Sequence, residues 1–112
     1  MKVNVDININ YGILDSIISR LPSLVSDIVS KTAYDCQEMA QNFAPVDTGY
    51  LKGSISVENE SPTKSLVIAS AEYASYVEYG TYKMAAQPFL MPAAEITGVG
   101  FRAALEGIVG NL

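Results

Sequence analysis

Val3, Val5, Ile7 and Ile9 alternate with Asn4, Asp6, Asn8 and Asn10. Period two with one wet face predicts an amphipathic strand at the start of the chain. Beyond Gly12 the spacing changes. Leu14, Ile17, Ile18, Leu21, Leu24, Val25, Ile28 and Val29 recur at intervals of three and four, and Thr32, Cys36, Met39, Ala40 and Phe43 prolong the stripe. That period predicts a long helix over residues 13 to 43. Pro22 lacks an N–H and crowds the carbonyl of Ile18, so it kinks or restarts the helix, or stands in the first turn of the main helix after a short separate one.

The stretch APVDTGYL, residues 44 to 51, ends the helix. Pro45 disfavours helical geometry at Ala44. Asp47 and Thr48 are suited to accept the hydrogen bonds that close an Asx-type turn, and Gly49 supplies backbone freedom. Extended structure is expected from Leu51 to Val57, with Leu51, Ile55 and Val57 inward. A polar hairpin loop follows at residues 58 to 63, then a buried strand from Ser65 to Ser70. Between Glu72 and Tyr79, Ala71, Ala74 and Val77 share one helical spacing and Tyr73, Tyr76 and Tyr79 another, which predicts a short helix with a tyrosine face, stopped by Gly80. Residues 81 to 87 read as an exposed loop or arm, with Tyr82 to Gln87 projecting. Pro88 and Pro92 bracket Phe89-Leu90-Met91 at its base. A last helix spans about Ala93 to Val109, weakened by Gly98, Gly100 and Gly107. With no internal repeat, the expectation is one α+β domain over residues 1 to 112: a long N-terminal helix packed on a small antiparallel sheet, with a short helix and a C-terminal helix.

Composition narrows the function. The chain has 112 residues, 49% of them hydrophobic and only 17% charged, with seven tyrosines and four methionines. A charge-poor, tyrosine-rich surface favours protein partners, against the alternative of a well-filled small core. The net charge of −5 includes no basic run, which argues against direct nucleic-acid binding. With no histidine and one cysteine, neither a His-dependent catalytic triad nor a zinc site is expected, and no cofactor is called for. Cys36 reads as a small buried apolar residue. The N-terminus lacks the continuous apolar core of a signal peptide and no run is long enough to span a membrane, so a cytosolic protein is expected.

Asp47-Thr48-Gly49 is also the triplet that carries the catalytic carboxylate of aspartic proteases, small viral forms of which are dimers of chains about this long. Ile108-Val109-Gly110 even resembles the apolar stretch that braces that loop. Those enzymes are almost all strand, however, whereas residues 13 to 43 read as helix. Tyr50 replaces the small residue that usually follows the triplet. A three-residue motif is weak by itself, and no enzymatic activity is expected.

Three stretches taken together point elsewhere. They are Ala44-Pro45-Val46-Asp47-Thr48-Gly49-Tyr50-Leu51 with the following Ser54-Ile55, then Tyr73-Ala74-Ser75-Tyr76-Val77-Glu78-Tyr79-Gly80-Thr81, then Gln87-Pro88-Phe89-Leu90-Met91-Pro92-Ala93. In this order and spacing they resemble a family of small tail-component proteins of long-tailed bacteriophages and prophages, named after gene product ten of phage HK-ninety-seven. The long helix is similar to that family too; the strand before it has no match there. The resemblance implies a non-enzymatic virion morphogenesis protein acting at head–tail joining or tail completion, as part of a ring. It implies other neck or tail proteins as partners, assembly in the host cytoplasm, and residence in the neck or tail if the protein is retained. A transient assembly factor that leaves before maturation is the alternative.

Its motif positions are Pro45, Asp47, Thr48, Gly49, Leu51, Glu78, Gly80, Pro88, Phe89 and Pro92. Physically, Pro45, Asp47, Thr48 and Gly49 are turn-builders. Tyr76, Glu78, Tyr79, Gly80, Tyr82, Lys83, Met84 and Phe89 are the candidate interface, because tyrosine offers large contact area at low entropy cost. Tyr76 and Tyr79 covering the chain's own core is the competing reading. Edge pairing by the strand at 65 to 70, or by the N-terminal strand, is a further route to a ring.

Overall fold

The computed structural model describes residues 2–6, 19–45 and 49–110. Its elements are β1 (Lys2–Asp6), α1 (Pro22–Phe43), α2 (Tyr50–Gly53), β2 (Ile55–Ser61), β3 (Lys64–Ala69), α3 (Ala74–Tyr79) and α4 (Leu90–Gly110). This is the expected α+β arrangement: a long helix, a small antiparallel sheet, a short helix and a C-terminal helix.

Leu21 is non-helical and Pro22 opens α1, so the proline stands in the first turn, where its missing N–H costs no helix bond. The helical expectation for residues 13 to 18 lies outside the described residues. Val25, Val29, Ala33, Cys36 and Ala40 form the buried face of α1. This face differs from the predicted stripe. Leu21, Leu24 and Phe43 are exposed, and Ala33, which is not in the predicted stripe, is fully buried. Small residues at 33, 36 and 40 leave room for α1 to lie close to its neighbours. Cys36 is a free buried thiol, as its place in the stripe suggested. Burial pushes its pKa up, and hydrogen bonding with Thr97 of α4 offsets part of that.

The sheet order is β1-β3-β2, with both pairings antiparallel. Val3 pairs with Val67 and Val67 with Val57, so β3 is the middle strand. Four residues of β3, Ser65, Leu66, Val67 and Ala69, are buried. Its hydrogen-bonding edges are used within the chain, so the proposed pairing of the 65–70 strand with a second subunit is excluded in this fold. The edges belong to β1 and β2. The hairpin between β2 and β3 is tighter than the six-residue loop expected: β2 runs to Ser61, Pro62 and Thr63 make the turn, and a register shift between Asn59 and Ser61 accommodates it. The buried Ser65 hydroxyl donates to Asn59 Oδ1 at 2.6 Å.

The extended structure expected from Leu51 begins four residues late. Tyr50 to Gly53 form one helical turn, entered through Gly49 at φ +67° and closed by the Ser54 hydroxyl on the Leu51 carbonyl at 2.7 Å. Leu51 is inward, as expected, but it points there from a turn rather than a strand. Gln37 of α1 donates to the Ile55 carbonyl at 2.9 Å and fixes the start of β2 against the helix. α4 begins at Leu90, three residues early, with Pro92 inside its first turn, where proline is tolerated. Phe89, Leu90 and Ala93 enter the same buried cluster as the α1 face and the strand residues Ile55, Val67 and Ala69.

Candidate docking site around the tyrosine helix

α3 carries a six-residue sequence, ASYVEY, that splits cleanly into faces. Ala74 and Glu78 face inward, while Tyr76 and Tyr79 are 60% and 67% exposed. The helix stops at Gly80, whose N–H donates to the Tyr76 carbonyl at 2.8 Å. Gly80 has φ +76°, and a Cβ there would lie 2.7 Å from the Ala86 nitrogen and 2.9 Å from the Met84 oxygen. Both neighbours are backbone and cannot swing away. Glycine is required here for conformation and for space. Gly80→Ala is expected to destabilise the chain by about 2–3 kcal/mol, combining left-handed strain with displacement of the loop. Chemical denaturation would show it, and a loss under half a unit would mean that the loop yields freely.

Of the two readings for the segment after Gly80, the exposed loop holds: it folds back on itself and does not project as an arm. Thr81 and Met84 exchange backbone hydrogen bonds at 2.8 and 3.2 Å, and the Thr81 hydroxyl accepts from the N–H groups of Lys83 and Met84. The Gln87 N–H returns to the Val77 carbonyl at 2.8 Å. Tyr82 sits at the tip, 94% exposed, with the Lys83 ammonium 5.5 Å from its ring centre.

Glu78 was expected on the interface; the structure buries it. Its Oε1 accepts from the Phe89 and Leu90 N–H groups at 3.2 and 2.8 Å, and Oε2 from Met91 at 3.4 Å. These are the first N–H groups of α4, which have no partner inside the helix. A carboxylate there satisfies them and complements the positive end of the helix dipole. Glu78 therefore ties α3 to α4. Phe89 is likewise withdrawn: it is fully buried in the core and offers no surface. The partners of this inward carboxylate are backbone groups supplied eleven to thirteen residues later, which the sequence of α3 by itself does not show.

Beside α3 lies an apolar pocket of about 470 Å³, lined by Pro45, Leu51, Tyr73, Tyr76, Val77, Met84 and Gln87. Pro45 and Leu51 come from the first motif stretch, Tyr73, Tyr76 and Val77 from the second, and Gln87 from the third. The first stretch, some twenty residues before the second in sequence, thus meets the second and third at one surface depression. The rings of Tyr50 and Tyr73, neither among the predicted contact residues, stand 6.0 Å apart at its edge. Membership in the motif stretches was the signal that could have included them. Asp47 and Thr48 lie outside the described residues. The protease reading finds no support in the surroundings: α1 precedes the triplet and the helical turn of α2 follows Gly49, where that chemistry is built on strands. No helix among the described residues is long and apolar enough to cross a membrane.

A model of the family described as "Bacteriophage HK97-gp10, putative tail-component" matches residues 14–80, more than half of the chain. The match takes in the first motif stretch and the second as far as Gly80, and ends before the third. No curated protein and no solved structure matches the chain.

Proposed function

Since the chain belongs to the HK97-gp10-like family of phage tail components, we propose that it is a non-enzymatic morphogenesis protein that completes the tail or joins it to the head, working as a subunit of a ring. The observation that carries this reading is the pocket beside α3. Its walls come from all three motif stretches and include exposed Tyr76 and Met84, and Tyr79 and Tyr82 are exposed on the same short segment of chain. Clustered aromatic surface of this kind is the usual material of an interface core. Gly80, Glu78 and the Thr81–Met84 turn hold that surface rigid from behind, which lowers the entropy cost of docking. The surface is one patch on one side of the chain, so contact with a different patch on the next copy gives a head-to-tail assembly that closes when its rotation permits. Pro45 and Leu51 line the pocket wall, and Lys83 adds a charge beside the exposed Tyr82 ring.

Electron microscopy of a lysate from a phage lacking this gene tests the proposal. Full heads beside finished, separate tails place the protein at joining. Absent tails or tails of uncontrolled length place it in tail building. Normal infectious particles refute both. Detection of the protein in purified virions separates a retained subunit from a transient assembly factor. At residue level, Tyr76→Ser with Tyr79→Ser is expected to abolish assembly and reduce infectivity at least tenfold in complementation, while shifting the stability of the isolated chain by under about 0.5 kcal/mol, since both side chains are largely exposed. Full complementation by this double variant would remove the tyrosine surface from the interface.

A further inference from the structure

α4 contains three charged residues, Glu95, Arg102 and Glu106, in 21. A helix so nearly apolar around its whole circumference is expected to be covered on both sides. In the chain, only one side is covered. Leu90, Ala93 and Leu105 are buried, and Phe101 and Ile108 pack against the core. On the far side Ile96 is 51% exposed and Val99 62%, with Ala103 and Gly100 exposed beside them. Ile96, Val99 and Ala103 recur at spacings of three and four, the seam spacing of paired helices, and the exposed Glu106 at the next seam position ends the apolar run. Gly100 and Gly107 lie along one flank of this seam, with nothing within 4 Å of where a Cβ would be, so a second backbone can come close there. The ridge continues into a groove of about 590 Å³ between α1 and α4, where Ile96, Gly100 and Ala104 face Ile28 and Met39.

The charges indicate what covers this face. Glu95 and Arg102 are seven positions apart on the other flank of the seam. At 1.5 Å per residue they are about 10 Å apart along the helix, too far to pair with each other. Among the described residues the ion pairs are Lys31–Asp35 and Lys64–Glu60; neither Glu95 nor Arg102 takes part. When two identical helices pack antiparallel, a flank meets the same flank of its partner. A twofold axis beside residues 98 and 99 then sets Glu95 of each copy opposite Arg102 of the other. The same register lets Ile96 and Val99 of one copy interdigitate with Val99 and Ile96 of the second.

We propose that the outer face of α4 binds a second copy of this chain, as an antiparallel twofold pair closed by two Glu95–Arg102 bridges. Such a contact closes on itself. It makes a dimer and not a ring, and is independent of the tyrosine surface. Within the assembly it would join two rings face to face or hold the chain as a dimer beforehand.

The test is sedimentation equilibrium of the full chain over a range of concentrations, in the Tyr76→Ser, Tyr79→Ser background so that ring contacts do not contribute. A concentration-dependent dimer is expected. Glu95→Arg places two arginines opposite two arginines and is expected to weaken the dimer at least tenfold, or about 1.4 kcal/mol. Glu95→Arg with Arg102→Glu reverses both bridges and is expected to restore the affinity to within about threefold. All four positions, Tyr76, Tyr79, Glu95 and Arg102, are exposed, so circular dichroism should show unchanged helix content in every variant. A monomer at all concentrations overturns the proposal, as does a dimer that ignores Glu95→Arg or is not rescued by the reversal.

Discussion

Glu78→Ala is expected to lower stability by about 3 kcal/mol, a drop in melting temperature of roughly 15 °C for a chain of this size. The carboxylate is 3% exposed and accepts from the N–H groups of Phe89, Leu90 and Met91. Alanine leaves those donors without partners in a site that little water reaches. Each buried donor left unmade costs about 1–3 kcal/mol, and partial access of water reduces the sum. Glu78→Gln should cost less, about 1 kcal/mol. Its amide oxygen can replace Oε1, which takes the two shorter bonds, and only the long Met91 bond is lost. A thermal melt of the two variants distinguishes this from a surface role. Equal, small shifts would mean that Glu78 does not cap α4.

Phe89→Ala carries the other large effect, a loss of about 3–5 kcal/mol. Phe89 is fully buried and sits in the same cluster as Val29 of α1, Val67 of β3 and Leu90 of α4. Removing its ring leaves a cavity between helices and sheet that a one-residue rearrangement cannot fill, because Pro88 and Pro92 restrict the backbone on both sides. Urea denaturation would measure it. A cost below about 1.5 kcal/mol would show that the ring adds little to the core. The two variants also differ in what they do to assembly. Both remove support from behind the tyrosine surface, so both should impair infectivity by lowering the amount of folded subunit, whereas the Tyr76 and Tyr79 changes act on contact alone.

Glu78 and Phe89 explain why a motif is not the same as a surface. The motif stretches were legible in the sequence, and with them the family. The roles of individual members were not. Tyr76, Glu78 and Tyr79 sit within four positions, yet Glu78 turns inward and the tyrosines outward. Helical spacing would have assigned these faces correctly had it outweighed the expectation that a carboxylate stays wet. What overrode that expectation was the nearby end of another helix, whose unpaired N–H groups are a feature of tertiary arrangement. Gly80 was legible as a stop, but its close approach to Ala86 depends on the return of the loop.

What the sequence determined by itself was periodicity. It placed the helices at α1, α3 and α4, the hairpin strands β2 and β3 and the inward Leu51, and it left Pro22 as either a kink or a first-turn residue, because apolar spacing and backbone chemistry act within a few residues. Three motif stretches in order were enough to indicate the family. Only the tertiary structure decided which strand is central, that Ala33 rather than Leu24 lies in the core, that Tyr50 to Gly53 make a helical turn before β2, and that the first motif stretch shares one pocket with the two that follow it. Each depends on which surfaces meet. A strand pattern cannot distinguish an edge from a centre, and a small residue becomes a core residue only where another element approaches closely enough to need the space.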